Sequence, residues 1–153
     1  MEFAATAPGL MTPTEVAVGV FSLEAESMEK LLWAGVGGFF GSTLRYVVGG
    51  ALARAKGGAT FPIETLVINV IGCFLIGCLA GLAETRGLFT GTTRVLLFIG
   101  VLGGFTTFSA FGYETFQLLR VGQWPAATAS VGLQVVLGVG GVWAGNVVAR
   151  AVS

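Results

Sequence analysis

The chain has 153 residues, 54% of them apolar and 10% charged, and its mean hydropathy is +0.87. So few charges cannot clothe a water-facing surface, which places the chain in a lipid bilayer and excludes an ordinary soluble domain. Eight Lys and Arg balance eight Glu, and His is absent, so no basic excess draws nucleic acid and no such partner is expected.

Residues 1–29 carry Glu2, Glu15, Glu24, Glu26 and Glu29 and neither Lys nor Arg. A secretory signal needs a basic start before its apolar stretch, and this segment has none. It is expected to be a disordered acidic extension, or an upstream extension of a chain whose natural start is Met28. Residues 30–153 then form one unit with four apolar runs, at about 31–53, 63–83, 95–119 and 125–149, each reaching the ~20 residues that cross a bilayer. The predicted fold class is an all-α membrane protein of four transmembrane helices.

The first run contains Gly37-x-x-x-Gly41 and, toward its end, Arg45. Two readings of that cation stand: it snorkels to the headgroups, or it stands in an aqueous vestibule and attracts anions. Lys56-Gly57-Gly58 and Pro62 mark the turn into the second run. There Thr65 and Asn69, four residues apart, share one helix face. An Asn in hydrocarbon is costly unless it meets a partner or a watery path. Asn69 is therefore either interhelical glue or a donor to a passing anion. Cys73 and Cys78 lie on different faces of the same helix and cannot pair with each other.

The third run holds the least ordinary stretch, Gly103-Gly104-Phe105-Thr106-Thr107-Phe108-Ser109-Ala110-Phe111. Adjacent Gly, two Thr and a Ser make a poor helix interior, so a break in the middle of the membrane is predicted, tolerated there only if buried in protein or lining a cavity. Exposed carbonyls at such a break suit a cation. Phe108 and Phe111 fall on one side of the helix that follows; they are either core packing or rings whose positive edges face an anion without trapping it. The hydroxyls of Thr107 and Ser109 add further donors. Trp124 sits where an indole marks the water boundary, and the fourth run carries Ser130, Gln134 and Gly141-x-x-x-Gly145. With Gly77-x-x-x-Gly81 and Gly100-x-x-x-Gly104, every run has a flat strip on which another helix approaches closely.

His and Asp are both missing, and only Glu64, Glu84 and Glu114 lie in or beside the runs. The usual acid–base pairs, metal clusters and activated nucleophiles cannot be assembled, so an enzyme is not expected. Glu64 and Glu114 read as terminal or capping groups rather than proton carriers. Lys30, Arg86, Arg94 and Arg150 fall on one side of the membrane, and Arg45, Arg54, Lys56 and Arg120 on or near the other. Four against four leaves no orientation bias, which is either an accident of small numbers or the mark of a dual-topology homodimer.

Gly37-Gly38-Phe39-Phe40-Gly41-Ser42-Thr43-Leu44-Arg45-Tyr46, then Glu64-Thr65-Leu66-Val67-Ile68-Asn69 running to Gly77, then Gly103 to Phe111 followed by Glu114, resemble in order the three signatures of the Fluc family of fluoride channels, also called CrcB. The resemblance covers the chain from about Leu31 onward. It implies an antiparallel dual-topology homodimer in the inner (plasma) membrane, with two fluoride pores and a sodium ion at the centre. Asn69, Phe108, Phe111, Thr65, Thr107 and Ser109 would line the pore, and Arg45 a vestibule. Main-chain carbonyls of Gly103 and Thr106 would hold the sodium. Glu64 and Cys73 stand where that family often has Gly and Ser, Ala110 where it often has Thr, and Ser130 and Gln134 where it usually has Tyr and Ser. The function expected is passive, fluoride-selective export that protects the cell. A small dual-topology exporter of organic cations is the alternative, and a purely structural membrane subunit a third reading.

Overall fold

The computed structural model describes residues 13–57, 61–89 and 91–153, with side chains from Glu26 onward. Its elements are α1 (Pro13–Ala55), α2 (Ile63–Arg86), α3 (Gly91–Arg94), a π-helix (Val95–Leu102), α4 (Gly103–Phe105), α5 (Phe108–Arg120) and α6 (Trp124–Ala151). Among the described residues four segments are long and apolar enough to cross a membrane: Glu26–Ala55, Ile63–Arg86, Gly91–Arg120 and Trp124–Ala151. The chain is thus a multi-pass, all-helical membrane protein.

The boundary expected at Lys30 is not a structural break. Residues 1–12 of the expected acidic extension lie outside the described residues, while helix α1 runs through that boundary from Pro13. Leu, Glu, Ala and Met populate this segment and all favour helix, and Lys30 pairs with Glu26 at 2.5 Å one turn away. At 43 residues α1 is roughly 65 Å long, about twice the hydrocarbon thickness.

Glycine sets the packing. A methyl group on Gly37 would stand 2.5 Å from the Leu96 carbonyl oxygen, and one on Gly41 2.1 Å from that of Val101, so α1 lies directly against the π-helix. Gly100 and Gly104 face the same seam from the other side, near Gly37 and Gly38. A second pair forms likewise: Gly77 meets the Val142 carbonyl and Gly145 that of Phe74, each leaving 2.1 Å for an added methyl. All four small-residue strips are therefore spent on two helix pairs inside one chain, α1 with the third segment and α2 with α6. Without a hydrophobic drive between helices in lipid, such close approach supplies the dispersion contacts that hold them.

The third segment does not stay regular. After the α-helical turn α3 it continues as π-helical turns, a form found mostly in short pieces at functional sites, returns to α-helix in α4 and stops after Phe105. Thr106 (φ −83°, ψ 160°) and Thr107 (φ −153°, ψ 112°) are extended. Helix then resumes at Phe108. Helix α6 starts at Trp124, with Pro125 in its first turn, where Pro loses no hydrogen bond.

Among the described residues only seven apolar side chains are buried, Leu66, Ile68, Leu102 and Phe105 among them. Phe39, Phe40, Tyr46, Ile99, Val136, Val139 and Trp143 all point outward. In water that surface would be a liability, whereas lipid or another helical surface accepts it.

Candidate functional site

The gap left by Thr106 and Thr107 is filled from α2. Asn69 Oδ1 accepts the Thr107 N–H at 2.9 Å, and Asn69 Nδ2 donates to the Thr107 carbonyl at 3.2 Å. One side-chain amide thereby satisfies both backbone groups of an extended residue, as a neighbouring strand would. The second Nδ2 hydrogen goes to Gln134 Oε1 on α6 at 3.3 Å. Of the two readings of Asn69, its contacts here are those of an interhelical clasp joining α2, the break and α6. One turn further, Gly72 lets Thr106 seat its methyl against α2, where an added Cβ would meet it at 2.2 Å.

This clasp changes what two carbonyls can do. In a continuous helix the Thr107 N–H would bond to the Gly103 carbonyl, but it goes to Asn69 instead. The Ala110 N–H would bond to Thr106, yet it donates to Thr107 Oγ1 at 3.2 Å, capping α5. The carbonyls of Gly103 and Thr106 each lose their regular donor to a side chain. A carbonyl without its usual donor is a hard oxygen of the kind that hard cations take as a ligand.

Beyond the cap, Phe108 and Phe111 meet edge to face, centroids 5.4 Å apart and planes at 65°. Phe111 is half-buried, while Phe108 is 82% exposed. Ser109 is exposed and its hydroxyl lies 3.2 Å from that of Thr107. Asn69, Gln134, Thr106, Thr107 and both rings line one cleft of about 370 Å³.

A larger cleft of about 810 Å³ opens between the end of α1, the start of α2 and α5, with Arg45 and Thr65 on its wall. Thr65 is buried and donates to Glu114 Oε1 at 2.7 Å. Glu64 is a first-turn group of α2, as expected, but Glu114 is no end group: it lies midway along α5 and faces across to α2. Thr107 lines both clefts, so Arg45 and Thr65 gather in one, Asn69, Phe108 and Phe111 in the other, and the capping threonine stands between them. Ser130 is buried in α6 and lines neither cleft. Sequence reasoning left Gln134 without a role and treated Glu114 as a terminus. Their partners lie 65 and 49 residues away, beyond any local spacing signal.

Residues 32–146 match the family described as CrcB-like protein, Camphor Resistance (CrcB). The chain belongs to the CrcB family. Among its relatives, the fluoride-specific ion channel FluC of Methylobacillus flagellatus is 43% identical over 118 residues, covering 77% of this chain and 92% of that protein. The fluoride-specific ion channel FluC 3 of Methanosarcina barkeri is 43% identical over 126 residues, 82% of this chain and 94% of its own. The fluoride-specific ion channel FluC of a Roseiflexus species is 45% identical over 115 residues, 75% and 92% respectively. These CrcB relatives are named as channels, and their names give no support to the organic-cation exporter.

Proposed function

We propose that this protein is a passive fluoride-selective channel, not an enzyme, that releases fluoride from the cell down its electrochemical gradient and so confers fluoride resistance. Relatives that carry that name cover three quarters or more of the chain. The observation that carries the reading is the clasp of Asn69 on Thr107 beside the Phe108–Phe111 edge pair. It sets neutral donors and ring edges around one cleft without a fixed charge that would hold an anion fast.

Fluoride is small and tightly hydrated, so its path must replace water with donors. The longest of the Asn69 contacts, to Gln134 at 3.3 Å, is the one that yields: fluoride accepts that Nδ2 hydrogen, while the bonds to Thr107 keep the amide in place. Gln134, whose oxygen faces Asn69, has its own amide hydrogens to offer in the same cleft. Thr107 and Ser109 continue the track of donors, Thr65 lies beside it with its own hydroxyl hydrogen given to Glu114, and Arg45 draws anions to its mouth. Export needs no engine, because a negative-inside potential drives an anion outward by about 2.3 kcal/mol per 100 mV.

The working unit in this reading is an antiparallel homodimer in the inner membrane, its break at membrane depth. Phe108, largely exposed on one copy, finds its cover there, and the even division of Lys and Arg between the two sides permits opposite insertion. The released carbonyls of Gly103 and Thr106 would be the groups that hold a sodium ion in such a dimer, and its positive charge would supply a fixed partner for those oxygens.

The test is fluoride efflux from liposomes containing the purified protein and a potassium ionophore, with chloride as control. Selective fluoride release is expected; a folded dimer that releases none refutes the reading. A reporter fused to the C-terminus reads out on both sides of the membrane if insertion is dual, and on one side only if it is not.

A further inference from the structure

The larger cleft carries more charge than an anion's entrance needs, and the charges are not equivalent. Three cations, Arg45, Arg54 and Lys56, and two carboxylates, Glu64 and Glu114, lie on its wall. Among the described residues Arg45 and Arg54 enter no ion pair. Lys56 does: its Nζ lies 2.8 Å from Glu64 Oε1 and 3.0 Å from Oε2, touching both carboxylate oxygens. The side chains retain only 24% and 18% of their exposure, so salt screens this pair less than a surface contact. The pair joins the residue just after α1 to the first turn of α2.

A carboxylate at the mouth of an anion path opposes entry unless it is neutralised. Glu64 is neutralised by Lys56, and by the same contact it withholds that ammonium from the anion. Resting on the channel reading above, we infer that Glu64 is a damper on anion capture: it keeps Lys56 out of the attracting field, which is left to Arg45 and Arg54. The residue that sets the strength of this mouth is thus a glutamate that touches no part of the phenyl cleft. An alternative role for the same contact is a mechanical strap holding the turn between α1 and α2.

The two roles differ in sign. Under the damper, Glu64→Gln frees Lys56 and speeds entry, while Lys56→Gln leaves a bare carboxylate and slows it. A unit charge about 10 Å from an ion in water changes its local concentration roughly twofold when salt is low. At about 10 mM ionic strength the screening length is ~30 Å, and at 1 M ~3 Å, so the effect must fade as salt rises.

Full-length protein is reconstituted in liposomes, and initial fluoride efflux is measured at subsaturating fluoride for wild type, Glu64→Gln, Lys56→Gln and the double variant. Ionic strength is varied with a large impermeant anion. The expected result is about a twofold gain for Glu64→Gln and about a twofold loss for Lys56→Gln at low salt, with the double variant between them and all four converging at high salt. Both single variants slower than wild type, no change in either, or differences that persist at high salt would overturn the damper. A wild type that carries no fluoride would instead sink the channel reading itself, before any variant is compared.

Discussion

Asn69 and Thr107 are closed into a ring by two hydrogen bonds, 2.9 Å from the Thr107 N–H to Asn69 Oδ1 and 3.2 Å from Asn69 Nδ2 to the Thr107 carbonyl. That one contact ends the helix at Phe105, releases the Gly103 carbonyl from its usual donor, and places an amide beside the phenyl rings. In the proposed channel, the side chain that holds the break together is also the one that faces the ion.

Asn69→Ala strands both backbone groups of Thr107, and an unmet buried group costs about 1–3 kcal/mol. The variant is expected to unfold in detergent at a lower temperature than wild type and to pass no fluoride. Unchanged thermal stability would mean that the break is held by something other than this amide.

Phe108 behaves differently because it is almost entirely outside the single chain's packing. Phe108→Ile should leave the helices of each copy folded, while fluoride efflux drops about tenfold or more, through loss of an edge that no aliphatic group replaces. Wild-type flux in a well-folded Phe108→Ile sample would remove the ring from the pore.

Thr107 caps α5 by accepting the Ala110 N–H, and loss of such a cap typically costs about 1 kcal/mol. In Thr107→Val the Ala110 N–H is free to return to the Thr106 carbonyl, one of the two oxygens assigned to sodium. Thermal stability of wild type is expected to rise when sodium replaces a bulky organic cation, and that rise should shrink in the variant. An equal sodium effect in both proteins would place the ion elsewhere.

Not all glycines are equal in this chain. Gly41→Ala and Gly145→Ala push a methyl to 2.1 Å from a carbonyl oxygen of the facing helix, and overpacking of that kind costs about 1–3 kcal/mol. Gly35→Ala meets nothing within 4 Å in the chain. Yield of monodisperse protein after extraction should collapse for the first two and hold for the third.

The sequence by itself determined the solvent and the number of spanning segments. Apolar runs of sufficient length, Gly at four-residue spacing and the Gly-Gly-Phe-Thr-Thr-Phe-Ser stretch are local patterns, and hydropathy and helix propensity act locally. Composition sets residues 1–29 apart by their acidic charge, whereas α1 runs from Pro13 to Ala55 across that change of composition. Tertiary structure alone decided which strips pair, that Gly37 and Gly41 lie on the π-helix and Gly77 and Gly145 on each other's helices. It also chose the partners of the polar groups: Thr65 with Glu114, Asn69 with Thr107 and Gln134. A hydrogen bond between distant residues has no signature along the chain, since it depends on the angle and depth at which two helices meet, and here glycine lets them meet closely enough for side chains to take over the backbone's bonds.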